Sequence, residues 1–447
     1  MKVQQYFELP QLFVERMTNE LGADAAGFFD SLEGQSPIAI RLNPRKKSKS
    51  DFPSDIPWAS EGEYLNERPA FSQDPLFHLG AYYVQEPSSM MLEQIWNNIS
   101  PSLPENPVVL DVCAAPGGKS THLLSLMNGH GVLVANEVDP VRNKILLENL
   151  IKWGFSNVVA TRSDTKFFPG LSRMFDVILV DAPCSGEGMF RKDMFARQQW
   201  SERLVQDCSF IQKGIISNLM KCLKSGGCLI YSTCTFSKEE NEDIAEYLIQ
   251  NFGGGMISLP GINDFGGVEN RGVYHMYPHK VRGEGLSFFV WKNTSAVEIK
   301  EKKLKSFPSK SSKSFHVPKG VVYPESDILF EFEDEIYHSS KLKKEVLDKI
   351  HEQLRVSWIG GKIGKKYNEE IKLCHDAILS TDLKINDFSE IELDKEIALK
   401  IIKREQCSMD IPDGKYLGMY QGIPLTMVTV QKSRVSSLWP VEYRLRK

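Results

Sequence analysis

Between residues 108 and 291, short apolar runs alternate with longer helical stretches, and this alternation limits the possible folds more than any other feature. The strand-like runs are 108–112, 131–136, 158–161, 175–180, 227–231 and 286–291. Helical patterns occupy 121–127, 139–150 and 204–223 between several of them. Strands joined through helices pair in parallel, because only a long crossover returns the chain to the same end of the sheet. The expectation is an α/β unit whose sheet is wrapped by helices and whose ligands bind at the carboxyl ends of the strands. Every motif capable of chemistry falls at such an end.

The first of these motifs is Asp111-Val112-Cys113-Ala114-Ala115-Pro116-Gly117-Gly118-Lys119, a glycine-rich turn between a strand and a helix. Lys119-Ser120 suggests a Walker phosphate loop, but that motif needs a glycine where Cys113 stands. The dinucleotide fingerprint G-x-G-x-x-G is absent too. What remains is a turn whose glycines let backbone approach a nucleoside closely. The next strand ends at Asn136-Glu137, and an acid there accepts from ribose hydroxyls. Ser163-Asp164 ends the third strand, where a carboxylate can accept from an adenine amino group. No basic cluster for a triphosphate lies nearby, so the expected cofactor is S-adenosylmethionine. A structural turn and a surface acid would explain Gly117-Gly118 or Glu137 alone; three strand ends in agreement favour the ligand.

Two further strand ends carry thiols, Asp181-Ala182-Pro183-Cys184-Ser185-Gly186 and Ser232-Thr233-Cys234-Thr235. Carbon 5 of cytosine is a poor nucleophile until a thiolate adds to carbon 6, and that addition is covalent catalysis. An acid such as Asp181 can draw electrons through N3 during the attack. One cysteine can attack and the second can assist release. Free cysteines more often fill space, the reading given to Cys208, Cys222, Cys228, Cys374 and Cys407.

Composition narrows the remaining classes. The 447 residues suggest two to four domains. No run approaches the ~20 apolar residues of a membrane span, and the polar start is not expected to be a signal peptide. Eight cysteines without a CxxC pair argue against zinc ribbons and disulfide frameworks, so no metal and a cytoplasmic setting are expected. The net charge of −4 gives no general basic surface, but Lys and Arg cluster at 41–49, 300–319, 362–366 and 444–447. Upstream, Pro10 opens a helical pattern with Phe13, Met17 and Leu21 on one face, a strand spans 38–42, and Ser88 is placed to cap a helix over 90–96.

The three motifs together resemble the Nol/Nop/Sun family of RNA cytosine-5 methyltransferases, in the layout of its bacterial RsmF type, which acts on small-subunit ribosomal RNA. The resemblance runs from Leu9 to about Trp291 and includes Arg41-Leu42-Asn43-Pro44, Gly80-Ala81-Tyr82-Tyr83-Val84-Gln85-Glu86-Pro87 and Tyr277-Pro278-His279. It implies a Rossmann-like methyltransferase domain with an N-terminal α/β extension and a C-terminal PUA-like, β-rich RNA-binding region. The implied division is 1–100 auxiliary, 101–293 methyltransferase, 294–319 basic linker, 320–389 intermediate RNA-binding region and 390–447 PUA-like. It makes Cys234 the nucleophile and Cys184 the residue that helps release, with Asp181 and Lys119 beside the target base. Cofactor contacts are implied from Cys113, Ala114, Ala115, Pro116, Gly117, Gly118, Lys119, Glu137, Asp164 and Asp181. DNA cytosine methyltransferases lack the second thiol, so Cys234 points to RNA. The partner expected is ribosomal RNA, bound by a monomer. Thr426-Met427-Val428-Thr429 departs from a more basic, glycine-containing stretch usual in the family, which leaves the recognised RNA helix open. The rivals are an rRNA-binding assembly factor and a methyltransferase for protein or small molecules, for which paired thiols are unnecessary.

Overall fold

The computed structural model describes residues 8–46, 55–295, 306–311, 317–318, 320–367 and 370–445. The chain start, residues 47–49, most of the 300–319 cluster and 446–447 lie outside the described residues. Five parallel strands form the centre of a ten-stranded sheet: Val158–Thr161, Val132–Asn136, Val108–Asp111, Phe175–Asp181 and Leu223–Thr233, in that spatial order. In chain order this is 3-2-1-4-5, so the direction of winding reverses between Val108–Asp111 and Phe175–Asp181. A crevice opens outside the strand ends at such a reversal. The central strands are buried on both faces, which is why they read as unbroken apolar runs.

Helices Gly118–Met127, Pro140–Trp153, Glu202–Leu219 and Glu242–Phe252 flank the sheet. Asp139 caps the second by accepting from Val141 N and Arg142 N, each at 2.8 Å, and Pro140 fits the first turn. The third helix ends at Leu219, not at 223, because Leu223 already pairs with Phe175. The Leu223–Thr233 strand therefore starts earlier than expected, and a register shift before Cys228 absorbs Gly226-Gly227. Ser88 is not a helix cap. It lies within a 3₁₀ turn, Ser88–Met91, and the α-helix begins at Leu92. Its Oγ instead accepts from Gly285 N at 3.3 Å.

The sheet is extended by antiparallel strands at both sides. Leu286–Lys292 pairs with Leu223–Thr233, followed by the hairpin Val268–Asn270/Val273–Met276. At the opposite edge, Val356–Ile359 pairs antiparallel with Val158–Thr161. The far carboxyl-terminal half of the chain thus completes the central sheet.

The N-terminal region holds helices Gln11–Leu21 and Ala25–Glu33 and a four-stranded sheet that includes the expected Ile38–Leu42 strand. Arg41 fastens this sheet to the Gly118–Met127 helix. Its buried guanidinium donates to Thr121 Oγ1 at 2.6 Å, Gln85 Oε1 at 2.8 Å and Gly118 O at 3.3 Å, and lies 4.4 Å from the Trp153 ring centre. The C-terminal region is β-rich, as expected. One sheet runs from Lys310–Ser311 to Glu370–Leu373; another joins Ser389–Glu392, Gly414–Tyr420, Ile423–Gln431 and Arg434–Ser437. The 362–366 basic cluster is partly neutralised, with Lys362 paired to Glu335 and Lys366 to Glu331. Among the described residues no helix is long and apolar enough to cross a membrane.

Candidate active site

Asp111 and Asp181 end the two strands that flank the winding reversal, and Ser232, opposite Asp181 on the next strand, leads into Cys234. The Pro-Cys and Thr-Cys loops leave neighbouring parallel strands side by side. This brings Cys184 Sγ to 3.1 Å from Cys234 Sγ with both cysteines free. Asp181 Oδ1 accepts from Ser232 Oγ at 2.8 Å and pairs with Lys119 Nζ at 2.8 Å. Lys119 comes from the first turn of the helix after the glycine turn. Gly117 has φ of 113°, a conformation that only glycine adopts at little cost.

Burial is the largest single influence and disfavours the Lys119 charge, but the ion pair and hydrogen bond with Asp181, with smaller contributions from its neighbours, together outweigh it. Lys119 therefore stays cationic. Cys184 is pushed well up, first by its hydrogen bond with Cys234 and then by burial, so it stays a thiol at neutral pH. Burial, with Asp111 next in effect, also drives Cys113 up, so its thiol is inert.

A cavity of about 330 Å³ opens in front of these groups. Asp111, Cys113, Ala114, Ala115, Pro116, Gly118, Lys119, Asp181 and Cys234 line it, with Tyr83, Gln85 and Glu86 from the N-terminal region and Glu284 across from them. Cys184 and Gly117 are absent from this lining; Cys184 sits behind Cys234. Glu137 and Asp164 do not line it either. Glu137 is buried beside the turn, accepting from Asp139 N at 3.0 Å. Arg142 bridges it to the turn, reaching Glu137 Oε2 at 3.4 Å and donating to Ala115 O at 2.8 Å. Asp164 caps the Thr165–Gly170 turn by accepting from Lys166 N, a bond that holds its carboxyl below the ordinary range.

Asp111 carries more than the turn motif suggested. Its side chain is fully buried, Oδ2 accepts from Ser120 Oγ at 2.6 Å, and Oδ1 has no partner although the residue borders the cavity. Burial first, and Asp181 against it, push its carboxyl up to about 7. Tyr83, Gln85, Glu86 and Glu284 were also without a role in the sequence; the 80–87 motif marked a resemblance but gave no chemistry. Among the described residues no cluster of side chains could hold a metal ion.

Comparison with known proteins agrees with this geometry. The family described as 16S rRNA methyltransferase RsmB/F matches residues 100–292, and the N-terminal domain of 16S rRNA methyltransferase RsmF matches residues 9–87. Ribosomal RNA small subunit methyltransferase F of Aeromonas salmonicida is 32% identical, with 90% of each chain covered. The protein of that name from Klebsiella pneumoniae is 29% identical over 97% of this chain and 96% of its own. Among solved structures, a methyltransferase homolog protein from Pyrococcus horikoshii is 28% identical with a TM-score of 0.54, covering 64% of this chain and 95% of that one. With both its catalytic and its N-terminal segments matched and near-full-length relatives alongside, the chain belongs to the RsmB/F family of 16S rRNA methyltransferases.

Proposed function

We propose that this protein is an S-adenosylmethionine-dependent RNA cytosine-5 methyltransferase that forms 5-methylcytidine in small-subunit ribosomal RNA. The observation that carries the reading is the pair of thiols 3.1 Å apart beside the Lys119–Asp181 ion pair, at the edge of the cavity below the glycine turn. The residues fit the cofactor. Asp111 Oδ1 is buried without a hydrogen bond and suits an ammonium, while Glu137 Oε2, ion-paired with Arg142 at 3.4 Å but without a hydrogen bond, can accept from a ribose hydroxyl. The residues that would hold it are Asp111, the 113–119 turn, Glu137, Asp164 and Asp181, of which Asp111, Cys113 to Pro116, Gly118, Lys119 and Asp181 border the cavity. When bound, the cofactor supplies an electrophilic methyl group for carbon 5.

The remaining steps belong to the chain. The target cytosine must leave its stack to enter the cavity. Beside the Lys119 cation held by Asp181, the Cys234 sulfur forms a bond to carbon 6 while its proton passes to N3 of the ring, and electron density moves to carbon 5. The Asp181 carboxylate accepts a hydrogen bond from N3–H once N3 carries that proton. Once Cys234 sulfur is a thioether, Cys184 loses the interaction that most raises its pKa. Cys184 then gives its own proton to solvent, against the burial that still opposes its charge, and as a thiolate takes the carbon 5 proton. Loss of that proton re-forms the ring double bond and expels Cys234. The protein acts as a monomer in the cytoplasm, with the C-terminal β-rich region holding RNA.

Mass spectrometry of 5-methylcytidine in small-subunit RNA tests this, with wild type and Cys234→Ala on naked RNA and on assembled subunits. Product from wild type alone is expected. Cys184→Ala with Cys234 intact should trap a covalent RNA–protein adduct on denaturing gels. Product formed equally by Cys234→Ala, or no adduct with Cys184→Ala, overturns the assignment.

A further inference from the structure

Two consecutive side chains, Glu240 and Asn241, each grip a different thiol loop. Both are fully buried at the junction between the Lys238–Glu240 turn and the Glu242–Phe252 helix. Glu240 Oε2 accepts from Ser185 N at 3.0 Å and from Gln212 Nε2 at 2.8 Å. The same Gln212 nitrogen donates to Pro183 O at 2.9 Å. The peptide groups on both sides of Cys184 are therefore tied to one carboxylate–amide pair. Asn241 acts on the other loop: its Oδ1 accepts from Thr233 Oγ1 at 2.8 Å, and its Nδ2 donates to Thr235 O at 3.1 Å. The residues on both sides of Cys234 are thus held by one amide. A direct strap, Ser185 Oγ to Thr235 Oγ1 at 2.9 Å, joins the two loops.

The backbone explains how neighbours serve opposite loops. Asn241 has φ −127° and ψ −82°, outside the helical region, and its position at the helix start turns successive side chains apart. Tyr231 OH donates to Glu240 O at 2.8 Å, fixing this corner to the strand that carries Cys234. None of these groups lines the cavity, so none touches a bound base.

We infer that Glu240 and Asn241 are a pair of positioning residues that set the separation of the two thiols, Glu240 through Gln212 and the Cys184 loop and Asn241 through the Cys234 loop. The functional half of this inference rests on the cytosine-methylation reading; the geometric half does not. Because the two residues govern different thiols, their loss has different consequences. Without the Glu240 clamp, Cys184 drifts while Cys234 still attacks, and the RNA adduct accumulates. Without the Asn241 clamp, Cys234 itself is misplaced and the adduct forms slowly. Burial raises the Glu240 carboxyl to about 7, so its charge is only partly present at neutral pH, and Glu240→Gln keeps an acceptor for the loop.

The geometric test needs no RNA. The full-length enzyme is treated with diamide, which takes two electrons and both thiol protons from Cys184 and Cys234 and leaves a disulfide. The linked peptides are followed by mass spectrometry. Wild type should cross-link fastest, Glu240→Ala and Asn241→Ala about tenfold more slowly, and Glu240→Gln close to wild type. In the second arm, RNA and cofactor are added: Glu240→Ala should accumulate adduct and Asn241→Ala should form it about tenfold more slowly. If either alanine variant is unfolded by circular dichroism, Gln212→Ala and Thr233→Val remove the opposite half of each clamp and carry the comparison. Unchanged cross-linking in the clamp variants overturns the inference, as does the same adduct behaviour in both. Slowed cross-linking with no methylated RNA even from wild type would sink the functional reading and leave the clamps standing.

Discussion

Replacing Asp111 with asparagine should make the unliganded protein more stable at alkaline pH while weakening its hold on the cofactor. The carboxyl is fully buried and raised from an ordinary value of 3.8 to about 7, with burial the largest cause. Between about pH 4 and 7 the folded chain therefore binds more protons at this site than the unfolded chain, and wild-type stability falls as pH rises. Roughly three pKa units at ~1.36 kcal/mol each set a ceiling of about 4 kcal/mol on the loss at pH 8. Asparagine keeps an acceptor for Ser120, but its amide nitrogen inherits the position of the unpartnered Oδ1 and costs about 1–3 kcal/mol. The net expectation is a gain of about 2 kcal/mol at pH 8, no gain near pH 5 and a small loss at pH 4. Thermal unfolding of wild type and Asp111→Asn across that range reads the difference as a midpoint shift of a few degrees that changes sign with pH. Isothermal titration with S-adenosylmethionine should show the opposite trend, with affinity down at least about tenfold because a charge-assisted partner is gone. A stability difference that does not vary between pH 4 and 8 would refute the buried, raised carboxyl and with it the argument that this oxygen awaits a cation.

Two other substitutions probe the ion pair and the N-terminal attachment. Lys119→Met removes the cation that Asp181 holds beside Cys234, and adduct formation in single-turnover experiments should fall about a hundredfold or more, with little recovery in Lys119→Arg. Arg41→Met leaves Thr121, Gln85 and the Gly118 carbonyl without their buried donor and should cost about 3 kcal/mol, seen as a lower melting temperature and faster proteolysis of the N-terminal region.

The sequence revealed most about the site where chemistry coincides with a strand end. Asp181, Cys184 and Cys234 could be placed together because parallel strands deliver their carboxyl ends to one rim, and Lys119 follows from the helix that opens beside them. The same logic put Glu137 and Asp164 next to the cofactor turn, although neither borders the thiol cavity. What escaped depends on contacts that leave no local trace. Nothing about Glu240-Asn241 distinguishes them from the surrounding acids until the fold buries them between two loops. The unpartnered oxygen of Asp111 is invisible in a motif that shows only an acid before a turn. The Val356–Ile359 strand pairs with residues nearly two hundred positions away, and no hydrophobic period records a partner at that separation.

That last strand also governs the order in which the molecule can be finished. The segment matched by the catalytic family ends at residue 292, yet one edge of its sheet, Val158–Thr161, is covered only when residues 356–359 arrive. Until then a nascent chain exposes a row of unpaired backbone groups on a buried-type strand, the kind of edge that recruits other chains. Cutting the protein after the catalytic segment would make that transient state permanent. The methyltransferase sheet is therefore complete only once the chain has been made as far as residue 359, well beyond the segment that carries the thiols.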